Sequence, residues 1–462
     1  MSSTDKALAA AEAGFDAAKT RWMDWLRIPS ISAQPAHDAD CIKAARYVHD
    51  DLESLGFQVT VRQTNGHPVV VAHHPGPGGD APHLLYYGHY DVQPAEPLEL
   101  WTSPPFEPVI VEGTHGPRVV ARGAVDDKGQ VSMWLAAFRA WHDATGGMPV
   151  RITALIEGEE EVGSPNLDAF VAANAMELGA DVVVVSDTGM WDVDTPALTT
   201  SLRGLVYMEV ILRAAERDLH SGMFGGSALN PINALTQALG QLRDGSGRIR
   251  IPGFYEGIAE VSPEQADSWE KLNFSEDTFL GGVGLRTPVG EIDRTPLERL
   301  WTRPTADING IWGGYQGPGS KTVIPAEAGA KISFRLVPGQ NPERIAEGFR
   351  TFMAAHVPPD AKLEFKVFGL APGMEVETTS PFVASAMEAM ADEFGKPAVM
   401  IGCGGSIPVV ETFHRVLGID TLLMGFGLDD DQVHSPNEKF DVTCFRSGMR
   451  CHIRLLGKLA PT

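Results

Sequence analysis

Val182-Val183-Val184-Val185 sets four β-branched residues in a row, and an extended chain turns successive side chains to opposite faces. Such a strand has no face to offer water and must be covered on both sides. Leu84-Leu85-Tyr86-Tyr87 shares the property, and Ile152 to Ile156 is a further strand of mainly apolar residues. Between them Val131, Trp134, Leu135, Phe138 and Trp141 recur at steps of three and four, the period of a helix with one buried face. Apolar strands alternating with helices define an α/β fold, a mostly parallel sheet sandwiched by helices.

At 462 residues the chain exceeds one ordinary core. The pattern changes near Leu202. A strand at Leu205 to Leu212 precedes a helix begun by Asn230-Pro231, strands follow near Ile308–Ile311 and Ala330–Val337, and Asn341-Pro342 begins another helix before the strand Leu363, Phe365, Val367. This β-α-β-β-α-β order predicts an inserted ferredoxin-like α+β domain over residues 202–372. Residues 1–201 and 373–462 then form one discontinuous domain. Locally, Leu8 to Trp25 reads as one amphipathic helix, Ser164-Pro165 as a helix start, Asp429 to Asp431 as a solvated charge run, and His434 to Glu438 as the opening of the final helix.

In an open parallel sheet, ligands bind outside the carboxyl ends of the strands. The residues just past apolar strands include His89, Asp126, Glu160, Glu161, Asp187 and His434. His89 and Asp91 lie two apart at a strand end, so both point the same way. Two histidines and four carboxylates exceed what one ion needs and suit two divalent ions sharing a carboxylate and a water. Taken singly, each has a bland reading: Asp126-Asp127 as a helix cap, Glu159 to Glu161 as a charge run, His89 as a buried histidine bonded to an acid. Their joint placement at strand ends favours the metal site.

The net charge of −23 argues against nucleic acid and anionic membrane as partners. Met1 to Trp25 carries charges throughout and lacks the apolar core of a signal peptide. Cys41, Cys403, Cys444 and Cys451 form no Cys-x-x-Cys pair and read as thiols of a reducing, cytoplasmic compartment.

Five segments, in order, resemble the motifs of the carnosinase and cytosolic non-specific dipeptidase family of di-zinc peptidases, to which acetylornithine deacetylase and succinyl-diaminopimelate desuccinylase are more distantly related. They are Gly88-His89-Tyr90-Asp91-Val92, Asp126-Asp127-Lys128-Gly129, Glu157 to Ser164, Ser186-Asp187 and His434-Ser435-Pro436-Asn437-Glu438. The resemblance implies that Asp126 bridges two metals, that His89 and Asp187 complete one and that Glu161 and His434 complete the other. It implies Glu160 as general base and Asp91 as the acid that orients His89. It also implies a cis peptide at Asp126-Asp127. Asp218 to Gly222 resembles a lid motif whose histidine, here His220, stabilises the oxyanion in the partner subunit's site. Ser333 to Pro338 resembles the strand whose arginine, here Arg335, grips the substrate carboxylate. Thr322, Gly405 and Ser406 fall in segments resembling substrate contacts, and the glycine loop lacks the Gly-Lys-Ser/Thr of a nucleotide site. The expected protein is thus a homodimeric peptidase, paired through the inserted domain, that acts on dipeptides or short peptides. Its expected cofactor is two divalent ions per chain, Zn²⁺ ahead of Mn²⁺ or Co²⁺. The alternatives are an N-acyl-amino-acid deacylase on the same metals and a non-enzymatic binding protein.

Overall fold

The computed structural model describes residues 1–461, which divide into two compact units. The first comprises residues 1–200, 376–401 and 408–462. Its central sheet runs Gln58–Arg62, Val69–His74, Arg151–Glu157, His83–His89, Val182–Val185, Thr421–Leu423, Ala197–Leu202. Arg151–Glu157, His83–His89, Val182–Val185 and Thr421–Leu423 pair in parallel, and the flanking pairings are antiparallel.

The reason for the parallel centre is the one visible in the valine run. Leu84, Tyr86, Val182 and Val184 join a core with Trp134, Phe138 and Met449 from the helices Lys128–Thr145 and Val442–Leu459. Leu85, Tyr87, Val183 and Val185 point the other way and are buried too, with Tyr87 edge-on to Phe413 at 5.6 Å. Register matters as much as burial. His89 pairs with Glu157 and Tyr87 with Val185, so these strands finish level and release their next residues along one edge. At the N-terminus Trp22 stacks on Phe445 at 4.6 Å and is wholly buried, tying the helix Phe15–Leu26 to the last helix. Truncating such a ring to alanine typically removes about 3–5 kcal/mol.

The second unit comprises residues 201–375 and 402–407. Its four antiparallel strands run Thr305–Gly313, Glu327–Leu336, Gly204–Arg213, Lys362–Ala371. Helices Pro231–Leu239 and Pro342–His356 supply Leu235, Phe349 and Phe352 to a core with Val206, Met208, Ile332 and Phe334. Asn230 and Asn341 cap these helices through their side chains, with proline next. Strand order and connectivity are ferredoxin-like. Gly402–Ile407 belongs to this unit: Arg203 N–H donates to the Gly405 carbonyl at 3.0 Å, and a Cβ on Gly402 would lie 2.6 Å from Trp301 Cβ.

Four local expectations are corrected. Gly14 splits the first helix into Ser3–Ala13 and Phe15–Leu26. Ser164 takes φ +50° and the helix starts only at Leu167. His434 to Glu438 does not open the final helix; the strand Lys439–Asp441 intervenes before Val442–Leu459. Asp431 is buried rather than solvated, because Lys439 Nζ lies 2.8 Å from it, 2.7 Å from Asp430 and 2.8 Å from Asp441. That ammonium occupies the centre of what would otherwise be a second acidic cluster.

His452 sits against Trp134 at 4.1 Å, fully buried, and neither ring nitrogen has a partner among the described residues. Burial therefore pushes the imidazole down to about 3. Between pH 6.5 and about 3 the unfolded chain takes up a proton that the folded chain does not. Stability is unaffected by this group above pH 6.5 and falls by about 1.4 kcal/mol per pH unit below it. In urea unfolding from pH 7 to 5, His452→Leu is expected to flatten the fall with pH relative to the wild type. Equal slopes would mean that His452 is hydrated or paired.

Candidate metal centre

The level strand ends bring the predicted residues together from four parts of the first unit. His89 closes its strand, wholly buried, with Nδ1 3.3 Å from Asp91 Oδ1 and Nε2 3.3 Å from Asp126 Oδ1. The Nε2 makes no hydrogen bond. Asp91 is itself fixed: its Oδ2 accepts the Ser32 hydroxyl at 2.6 Å and the Glu161 N–H at 3.1 Å. Asp126 comes from the loop before the helix Lys128–Thr145, and its peptide with Asp127 is cis. Its second oxygen lies 2.9 Å from His434 Nε2, which is also 3.1 Å from Glu161 Oε2. His434 has φ +60°, a left-handed conformation unusual for a residue with a Cβ. Asp187 follows Val185 by two residues.

Two groups of potential ligand atoms result, each within 4.8 Å: His89, Asp126 and Asp187, and Asp126, Glu161 and His434. Asp126 belongs to both. Two cations fit this donor set on the evidence of the side chains themselves. A buried imidazole nitrogen that makes no hydrogen bond faces a cluster of carboxyls, and burial together with their mutual proximity disfavours the charged forms. Burial and the Asp126 charge push Asp187 up to about 7. Burial, then Asp126, raises Glu161, and burial with the charges of Asp187, Glu161 and Asp126 raises Glu160 well above the usual carboxylate range despite His89. Asp126 is the exception: against the effect of burial, His434 and His89 hold it low. Its carboxylate and that of Glu161 raise His434 to about 10, a proton that a bound cation displaces.

The other predicted residues lie in the second unit. His220 is exposed, its Nδ1 accepting Gly222 N–H at 3.0 Å. Arg335 donates to Ser406 Oγ at 2.9 Å from the strand Glu327–Leu336. The Thr322 carbonyl accepts Ser221 N–H and the Gly405 carbonyl accepts Arg203 N–H.

Sequence reasoning gave no role to several groups that support the centre. Gln93 donates to Glu161 Oε2 at 2.9 Å, and Tyr87 and Ser164 both donate to the buried Glu157 at the start of the Glu160 loop. Asp127 does not cap its helix; it is buried and accepts the His89 N–H at 3.1 Å. Glu438 receives four donors from the Asp126 loop. Glu157, Ser164, Asp127 and Glu438 stand in the family-like motifs without a role of their own, and Gln93 and Tyr87 carry no spacing signal.

A sheet whose carboxyl edge gathers two histidines, Glu161 and Asp187 around a shared aspartate is the scaffold of a hydrolase with a dinuclear metal site. Residues 85–458 match the model of peptidase family M20/M25/M40, and the chain belongs to that family. It is 32% identical over 443 residues to the Cys-Gly metallodipeptidase DUG1 of Candida albicans, covering 92% of this chain and 91% of that one. Among solved structures, the dipeptidase Dug1p of Saccharomyces cerevisiae superposes with a TM-score of 0.85 at 28% identity, covering 100% of this chain and 99% of that one. Human carnosine dipeptidase 1 gives 0.84 at 27% identity, with 100% and 99% covered.

Proposed function

We propose that this protein hydrolyses dipeptides as a cytoplasmic, homodimeric metallopeptidase. The observation that carries the reading is Asp126, placed between His89 and His434 with one carboxylate oxygen toward each. His89 and Asp187 would hold one cation and Glu161 and His434 the other, with Asp126 serving both. Zn²⁺ suits these histidines and carboxylates, and Mn²⁺ or Co²⁺ is tolerated by the same ligands. Bound there, the pair of cations supplies Lewis-acid polarisation of the peptide carbonyl and a water acidic enough to react near neutral pH.

The chain's own groups do the rest. Glu160, not needed as a ligand, accepts the proton of the attacking water at its carboxylate and hands it to the leaving amine. Asp91 keeps His89 in one tautomer and orientation through Nδ1. Arg335, one guanidinium nitrogen engaged by Ser406, offers the remaining donors of its planar fork to the substrate C-terminal carboxylate. Thr322 and Gly405 line the same substrate. His220 donates to the developing oxyanion in the partner's site.

Association of two copies is supported by both edge strands of the four-stranded sheet, where Ile308, Ile311, Phe368 and Leu370 are exposed. Cytoplasmic residence is supported by the buried thiols of Cys41, Cys444 and Cys451; Cys403 is only half-buried. No helix among the described residues is long and apolar enough to cross a membrane. The deacylase alternative is not favoured, since the relatives that match nine-tenths of the chain bear dipeptidase names.

The central test is Glu160→Gln, which should keep both cations by metal analysis and lose about 10²–10⁴-fold in kcat or more. Asp187→Ala should lose metal instead. Turnover within a few-fold of wild type in Glu160→Gln places the base elsewhere.

Arg335→Ala should weaken dipeptides by about 1.5–3 kcal/mol in kcat/KM and leave C-terminally amidated dipeptides nearly unchanged. Equal losses on the two substrates make the arginine structural.

Mixing His220→Ala with Glu160→Gln under subunit exchange should restore activity toward half per mixed dimer, because one site regains both groups. Verified exchange with no recovery removes the role of His220 across the dimer.

A further inference from the structure

The run Ala121 to Asp126 lies outside any helix or strand and is buried, so its N–H groups need acceptors that regular structure does not supply. Ala124 N–H finds the Ala121 carbonyl. Arg122 N–H finds the Pro105 carbonyl, and those of Gly123, Val125 and Asp126 converge on one side chain. Glu438 Oε1 accepts Val125 N–H at 3.0 Å and Asp126 N–H at 3.1 Å, while Oε2 accepts Gly123 N–H at 3.0 Å. Oε2 also accepts Arg122 Nη1 at 2.7 Å, and the Glu438 carbonyl accepts Ala121 N–H at 3.1 Å. Glu438 and Arg122 are 0% and 1% exposed. Arg122 is held in turn by the Pro94 carbonyl at 3.1 Å and the face of Trp101 at 5.5 Å.

Glu438 stands four residues after His434 in the same loop, and Asn437 between them is tied to Thr102 N–H at 2.7 Å and the Leu100 carbonyl at 2.8 Å. One carboxylate therefore grips the backbone of Asp126 from the loop that presents His434. We infer that Glu438, neutralised by Arg122, is a positioning residue for the dinuclear centre: it sets where the Asp126 carboxylate stands relative to His434. The inference rests on the reading of Asp126 and His434 as ligands. A ligand shared by two cations has the least freedom to be misplaced, so slackening its backbone weakens both sites together.

Glu438→Gln keeps the size of the side chain but turns one acceptor oxygen into an N–H₂ donor, aimed at groups that are themselves donors. The variant should fold, by circular dichroism and a cooperative unfolding transition. It should bind Zn²⁺ about 10–100-fold more weakly in competition with a chromogenic chelator. Dipeptide kcat should fall at saturating Zn²⁺ with KM within a few-fold. Arg122→Met leaves the three backbone bonds in place and removes the countercharge, and should weaken Zn²⁺ binding in the same direction by less. Asp126→Asn is the control for the underlying reading: it should abolish high-affinity binding of both ions, and if it does not, the ligand assignment fails first. With that control behaving as expected, Zn²⁺ affinity within twofold of wild type in folded Glu438→Gln overturns the inference. If Glu438→Gln does not fold, Arg122→Met decides on the same criterion. Failure of both to fold makes the contact a determinant of the fold and overturns it equally.

Discussion

Like charges at close range in a buried place constrain everything around them. Asp126, Glu160, Glu161 and Asp187 crowd one edge of the sheet, and at an effective dielectric constant of about 20 two unit charges 4 Å apart repel by about 4 kcal/mol. No fold tolerates that without either protonating the acids or supplying positive charge. Two imidazoles supply part of it, and they are themselves ligand-type groups. The arrangement is thus unfavourable as a bare protein and favourable as a cation receptor, a common signature of sites under functional rather than stability selection.

Around this cluster the scaffold removes freedom wherever it can. Seven successive buried residues make His83–His89 a rigid rod, so His89 has no slack along the strand. Asp91 is pinned by Ser32 and by the backbone of Glu161, which couples the orientation of one histidine to the placement of the neighbouring acid loop. Below the loop that carries His434, Lys439 with Asp430, Asp431 and Asp441 forms a closed ionic knot that needs no added cation. Two acidic clusters a few residues apart are therefore chemically opposite, because only one has an ammonium at its centre.

How much of this was legible depends on the range of the interactions. The parallel strands and the placement of His89, Glu161 and Asp187 follow from local patterns: apolar on both faces, then an acid or histidine. Asp126 instead comes after Gly116–Val120, a half-buried strand of a separate antiparallel sheet. The ferredoxin-like insertion was readable through its Asn-Pro helix starts. What escaped was decided by distant partners. Glu438 looked like a helix opener because its acceptor role is defined by residues more than 300 positions earlier. Asp431 looked solvated because its partner Lys439 belongs to a strand of three residues, too short to leave a period. Gly14 broke a helix whose apolar spacing ran on unperturbed, since the two halves keep their buried faces toward the same core.

The first unit is written in pieces, with residues 201–375 between its first segment and its second. During synthesis the group His89, Asp126 and Asp187 has all its members once residue 187 is made, whereas the group Asp126, Glu161 and His434 waits until residue 434 is made. The strand Thr421–Leu423, which extends the parallel sheet, is equally late. A chain made as far as residue 187 thus has its four acids without His434, with the grip of Glu438 on the Asp126 loop still to come. The second group of ligand-type side chains is in this way completed well after the first, so the order in which the two groups become whole is written into the order of their residues along the chain.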